Sequence, residues 1–174
     1  AEMAALCAGG VGVWLFQDCM MEEVKYIIDH SDAKFFVGET QEEVDKALAI
    51  KESCPGLKWV IWDDPKGMRN YHQDFLVSQD RVREMGRELD EKDPGLFDRL
   101  VHEGHGDDIC LLFYTSGTTA LPKGALLSHW NMLTMGRNLM AVDPCYDTDD
   151  FVSYLPFAWI GEQMMSISCG LQVG

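Results

Sequence analysis

One stretch limits the possible folds more than any other. Ile109-Cys110-Leu111-Leu112-Phe113-Tyr114 places six apolar side chains in a row, with no polar residue on either parity. A strand with one wet face alternates apolar and polar residues, whereas an unbroken apolar run predicts a strand buried on both faces, inside a sheet covered by other layers. This run feeds without a break into Thr115-Ser116-Gly117-Thr118-Thr119-Ala120-Leu121-Pro122-Lys123-Gly124. In open α/β sheets ligands bind outside the carboxyl ends of strands, and the loop falls at such an end.

The preceding residues alternate between strand and helix periods. Val11 to Phe16 is a short apolar run, after which Asp18 predicts a cap for a helix with Met21, Val24, Ile27 and Ile28 on one face. Lys34 to Val37 is again strand-like, and Thr40-Gln41-Glu42-Glu43 has the capping-box form ahead of Val44, Ala47 and Leu48. Leu57 to Trp62 predicts a third strand, closed by the turn Asp63-Asp64-Pro65-Lys66-Gly67. Strands alternating with helices of this length require right-handed crossovers. The predicted fold is therefore α/β: three layers, a mostly parallel sheet with helices on both faces.

Charge divides the chain into unequal parts. Residues before 107 hold 22 of the 29 acids and 12 of the 14 bases, and the remainder has only Lys123 and Arg137 as strong bases. Residues 1–67 read as strand-helix units. Residues 68–107 read as a polar helical insert with two solvated helices near 78–91 and 95–103, the second ended by Gly104 and Gly106. Residues 108–174 carry the loop strand, a helix from about His129 to Met140 and a following apolar segment.

Composition narrows the function classes. A net charge of -15 and a pI near 4.5 set the chain against phosphate backbones and anionic lipid, so no nucleic-acid partner is predicted. The six cysteines form no C-x-x-C pair and the five histidines no H-x-x-x-H pair, so they predict no metal site. Thiols set in apolar stretches suit a reducing compartment, which predicts a cytoplasmic protein. No apolar run reaches the roughly 18 residues that a membrane span needs.

The loop has the chemistry of a phosphate cradle. Its glycines let backbone N–H groups converge on an anion, its hydroxyls can donate to phosphate oxygens, and Lys123 supplies a compact positive charge. It is not a Walker loop, because Pro122 precedes the lysine and Gly124 follows it. A plain Ser/Thr/Gly linker is the alternative. His129 and Asn131, just beyond, admit a catalytic role, although a role at the helix start accounts for them more simply.

Tyr114 to Gly124 resembles the signature Y-T-S-G-T-T-G-x-P-K-G of the adenylate-forming superfamily, which includes the acyl-CoA synthetases, luciferases and peptide-synthetase adenylation domains. Ten of the eleven positions are compatible, and Ala120 stands where the family has Gly. Two further stretches are similar to that family: Ala8-Gly9-Gly10-Val11-Gly12-Val13 followed by Glu22 to Ile28, and Tyr154-Leu155-Pro156-Phe157-Ala158-Trp159-Ile160-Gly161-Glu162-Gln163. The second resembles the L-P-x-x-H/W segment of the long-chain fatty acid branch.

The resemblance implies that residues 1–174 are an internal fragment of an AMP-binding N-terminal domain. The parent would be an ATP-dependent long-chain fatty acid–CoA ligase, using ATP, Mg2+ and coenzyme A to turn a fatty carboxylate into an acyl-adenylate and then a thioester. It implies nucleotide binding by Thr115, Ser116, Gly117, Thr118, Thr119, Lys123 and Gly124, with Lys123 the catalytic charge on the leaving phosphates. It places Trp159 and Gly161 at the acyl pocket; a core tryptophan is the alternative for Trp159. The family's later motifs, Y-G-x-T-E and T-G-D, do not occur in these 174 residues, so the chain alone is predicted to be inactive. Two other functions stay open: a non-catalytic nucleotide- or phosphate-binding module, and an adenylating enzyme with a different acyl acceptor. The apolar stretch from Trp159 to Val173 predicts a face that a homodimer would cover.

Overall fold

The computed structural model describes residues 1–115 and 121–173. In chain order the elements are α1 (Glu2–Cys7), β1 (Gly12–Val13), α2 (Met21–His30), β2 (Phe35–Gly38), α3 (Gln41–Ile50), β3 (Trp59–Trp62), β4 (Leu76–Ser78), α4 (Gln79–Lys92), α5 (Leu96–Glu103), β5 (Ile109–Thr115), β6 (Lys123–Ser128) and α6 (His129–Val142). A last helical segment covers Ile160–Val173, with π-helical geometry over Gln163–Cys169. The chain divides into two compact units, Gln17–Arg99 and Glu2–Phe16 with the residues from Leu100 onward. Each holds a three-stranded sheet. The fold is mixed α/β with parallel-rich sheets: among the described residues β1–β5, β2–β3 and β3–β4 pair parallel, and β5–β6 antiparallel.

In the first unit the sheet runs β2-β3-β4. Its core gathers Val24, Ile27 and Ile28 of α2, Val44, Ala47 and Ile50 of α3, and Phe36, Leu57 and Val60 from β2, β3 and the turn before it, all buried. These are the positions that helical and strand periods put on one face. Phe35, Val37 and Trp59, of opposite parity, are exposed. Asp18 does not cap α2. Met20 holds the N-cap position with no side-chain bond, and Glu22 and Glu23 in the first turn supply the negative charge that a helix start favours. Asp18 is exposed and lies two residues before the N-cap, too early to reach the orphan amides.

The Thr40 capping box forms as its spacing predicts. The Thr40 hydroxyl accepts from the Glu42 N–H at 3.3 Å, while the Glu43 carboxylate accepts from the Thr40 N–H at 2.8 Å and its hydroxyl at 2.6 Å. Partial burial pushes the Glu43 carboxyl up, but the Thr40 hydrogen bonds, joined by the charge of Lys46, outweigh it and hold the group below its ordinary 4.5.

Strand β4 is not announced by its surroundings. It is only three residues long and sits in the most polar part of the chain, yet Leu76, Val77 and Ser78 continue the parallel ladder from Val60, Ile61 and Trp62. The two helices that follow match the solvated pattern. No residue of α4 or α5 is buried, and Arg81 pairs with Glu84 at 3.2 Å and Glu88 at 2.8 Å along the wet surface of α4. Exposed pairs of this kind stabilise a helix by only a few tenths of a kcal/mol each.

In the second unit the sheet order is β1-β5-β6, which puts the apolar run in the middle. β1 is shorter than the Val11 to Phe16 run suggests, pairing only Gly12 with Leu111 and Val13 with Leu112. Cys110, Leu111, Phe113 and Met132 form the core cluster, with Leu6, Trp14 and Leu127 packed on it. α6 lies against the π-helical segment, and Gly136 makes that approach possible. A Cβ there would stand 2.6 Å from Gln172 Nε2 and 2.9 Å from Ser168 Cβ. Among the described residues no helix is long and apolar enough to cross a membrane.

Thr40→Ala is expected to lower stability by about 1 kcal/mol at pH 7, the usual cost of a lost side-chain cap. Glu43 is depressed in the folded chain, so its contribution is present above pH 4.5 and is lost as pH falls through the folded value. Urea melts at pH 7 and pH 3 should therefore show a smaller wild-type advantage in acid. An equal gap at both pH values would detach Glu43 from the cap.

Candidate functional site

The hydroxyl-rich loop lies in the chain between two strands that pair antiparallel. β5 and β6 pair through Phe113 with Ala125, Tyr114 with Gly124, and Thr115 with Lys123. The two ends of the loop are thereby held side by side, and the apolar residues after Lys123 form an edge strand. Thr115 is exposed at the end of β5 and its hydroxyl donates to the Lys123 carbonyl at 3.4 Å. Lys123 is exposed at the first position of β6 and enters no ion pair with a described residue. Gly124 packs closely, since a Cβ would stand 2.7 Å from Leu112 Cδ1. Ser116, Gly117, Thr118 and Thr119, with Ala120, lie outside the described residues.

Beyond β6 the chain turns directly into α6 through a second capping box. Ser128 is the N-cap; its hydroxyl accepts from the Asn131 N–H at 3.2 Å. Asn131 Oδ1 accepts in return from the Ser128 N–H at 2.9 Å and its hydroxyl at 3.1 Å. Asn131 thus works at the helix start, and this cap anchors the far end of the strand that begins with Lys123. An open groove of about 520 Å³ runs along the first turns of α6, lined by Leu127, Trp130, Asn131, Met132, Met135 and Asn138 among others. Neither Lys123 nor Trp159 lines it.

Trp159 is the N-cap residue of the last helical segment and is 54% exposed, which argues against a core tryptophan. Gly161 is half-buried, and a Cβ there would meet nothing within 4 Å, so packing does not demand glycine. The residues that sequence reasoning passed over are the next two. Glu162 and Gln163 are buried. The Glu162 carboxylate takes hydroxyl hydrogen bonds from Ser153 and Ser166, which hold it below the usual carboxylate range. Gln163 Nε2 donates to Glu2 Oε2 at 3.2 Å and to the Phe157 carbonyl at 3.4 Å. The one available signal was an acid and an amide set side by side in an otherwise apolar stretch.

The family model described as "AMP-binding enzyme" matches residues 1–174. Among curated relatives, long-chain-fatty-acid–CoA ligase ACSBG1 of Rattus norvegicus is 30% identical over 181 residues, covering 100% of this chain and 24% of that protein. Long-chain-fatty-acid–CoA ligase ACSBG2 of Homo sapiens is 29% identical over 174 residues, covering 99% of this chain and 25% of the relative. The chain thus spans about a quarter of the length of the curated relatives it matches. Among solved structures, a putative long-chain-fatty-acid CoA ligase from Rhodopseudomonas palustris superposes with a TM-score of 0.67 at 14% identity, over 97% of this chain and 39% of that one. ATP-bound MatB from the same organism gives 0.67 at 20% identity, over 99% of this chain and 30% of its own. At such identities these likenesses speak for the fold.

Asn131→Ala removes one half of the second capping box and is expected to cost about 1 kcal/mol in a urea melt. A cost near zero would mean that the Ser128 hydroxyl caps α6 unaided.

Proposed function

The chain belongs to the AMP-binding enzyme family, and on that premise we propose that it is part of an ATP-dependent acyl-CoA synthetase that activates a long-chain fatty carboxylate. The observation that carries this reading is the β5–β6 pairing, which sets Thr115 and Lys123 opposite each other at the two ends of the hydroxyl and glycine loop. A carboxylate oxygen would attack the α-phosphorus of ATP as the bond to the β-phosphate breaks and pyrophosphate leaves. Negative charge grows on the departing phosphates. Lys123, with Ser116, Thr118 and Thr119 as hydroxyl donors, would stabilise that charge, while Thr115 and Gly117 would shape the loop and offer backbone N–H donors. The acyl-adenylate would then pass to the thiol of coenzyme A with release of AMP.

The loop holds no carboxylate, so no magnesium ligand is assigned within it. Mg2+ and coenzyme A enter the proposal through the family and through relatives named as CoA ligases. Trp159 and Gly161 are assigned to the acyl side, a reading supported by the exposed indole at the head of its helical segment. Six free cysteines are consistent with work in the cytosol. A non-catalytic nucleotide-binding module remains the second reading, because the loop chemistry would serve binding without turnover.

The test is ATP–pyrophosphate exchange driven by palmitate, run on the 174-residue chain and on the product of its complete reading frame. The short chain is expected to be silent and the complete product active. In the latter, Lys123→Ala should lower kcat/KM by about 2 to 4 kcal/mol, the size of one lost charge-stabilising donor. An unaltered rate would remove Lys123 from the chemistry, and ATP binding without exchange in the complete product would favour the binding module.

Self-association through residues 159–173 belongs to the same proposal, since Trp159, Ile160, Met165 and Leu171 are exposed along that segment. Light scattering over a concentration series is expected to report a dimer, and a monomer throughout would remove it.

A further inference from the structure

The segment 160–173 buries two of its strongly polar side chains while leaving several apolar ones exposed. Glu162 is 1% exposed and Gln163 0%, whereas Met165 and Leu171 are open. Burying a carboxylate and an amide is unfavourable unless each finds partners, and packed apolar side chains would serve stability at least as well. What the buried pair supplies is direction, because hydrogen bonds fix orientation where apolar contact does not. Three of these bonds reach the loop that precedes the helix, at Ser153, Leu155 and Phe157, and the other two go to Ser166 and Glu2.

Glu162 Oε1 accepts from the Ser153 hydroxyl at 2.5 Å and from the Ser166 hydroxyl, and its carboxylate also takes a bond from the Leu155 backbone N–H. Gln163 Nε2 holds the Phe157 carbonyl. The same Nε2 donates to Glu2, whose other oxygen accepts from the Trp14 indole N–H at 3.0 Å. The Trp14 ring stacks on Phe157 with centroids 5.3 Å apart and planes at 22°. The backbone around Trp159 is tied from both sides: its N–H donates to the Pro156 carbonyl at 2.8 Å, and its carbonyl accepts from the Glu162 N–H at 3.1 Å. Gln163 Oε1 is buried without a donor among the described residues, so the amide is oriented by what its nitrogen holds. π-helical turns are frequent at functional sites because they re-aim side chains relative to the α-helical path. This one starts at Gln163.

We propose that Glu162 and Gln163 are positioning residues that hold the Phe157–Trp159 turn in one conformation and so set the direction in which Trp159 presents its ring. The functional value of that direction rests on the reading of Trp159 as an acyl-side residue.

The test is 19F NMR of the 174-residue chain labelled with 5-fluorotryptophan, its five lines assigned by single Trp→Phe changes. Glu162→Leu and Gln163→Leu are expected to shift and broaden the Trp159 line. Gln163→Leu should also move Trp14, and both should leave Trp59 and Trp62 in place. Glu162→Gln keeps an acceptor oxygen and should restore the Trp159 line in part. Should the leucine variants fail to fold, Ser153→Ala combined with Ser166→Ala removes both hydroxyl donors and decides the matter. A Trp159 line coincident with wild type in any folded variant lacking the Glu162 bonds would overturn the proposal. A parallel titration with cis-parinarate separates the two claims. If Trp159→Ala leaves parinarate binding unchanged while Glu162→Leu still displaces the Trp159 line, the positioning role stands and only the acyl assignment falls.

Discussion

The second unit depends on the pairing of β5 along both of its edges. Leu111 and Leu112 take β1 on one side in parallel, and Phe113 to Thr115 take β6 on the other in antiparallel register. A strand hydrogen-bonded on both edges and packed on a core has little freedom to slide, because a one-residue slip would turn Leu111 and Phe113 out of the cluster they form with Cys110 and Met132. Thr115 and Lys123 face each other because the apolar residues behind them cannot shift.

The same unit shows how polarity can organise an apolar region. α6 meets the π-helical segment over Gly136, where the absence of a side chain lets Ser168 and Gln172 come close. With that contact made, Glu162 and Gln163 point into the unit and not to solvent, and their hydrogen bonds gather Ser153, Leu155 and Phe157. Without them the irregular residues before Trp159 would have few fixed contacts, since most of positions 143–157 are exposed. The apolar side chains displaced to the outside are the counterpart of that arrangement.

How much could be read from residues alone follows the range of the forces involved. The Thr40 box is written in four consecutive residues and forms as written. The two solvated helices follow from spacing and charge over a single stretch and lie where that pattern puts them. Asp18 shows the limit of the same logic: a capping residue type near a helix start is useless unless the start falls next to it, and α2 begins at Met21. Strand β4 escapes a reading by period because three residues hold barely one alternation, and its existence depends on the edge of β3 being available. The burial of Glu162 and Gln163 escapes it too, since no local rule sends an acid inward; their partners lie on residues as distant as Glu2.

Local sequence therefore determined the α/β class, most of the helices, the Thr40 cap and the chemical character of the loop, because each rests on periodicity, on short-range hydrogen bonding or on the identity of a few consecutive side chains. Tertiary structure decided that the residues after the loop return as an antiparallel edge strand, that β1 contributes only two residues to the sheet, and that two polar side chains face inward to hold the turn at Trp159. Those outcomes depend on which surfaces are left to pair once the core has closed. That is a property of contacts between residues far apart in the chain, and no window of neighbouring residues contains it.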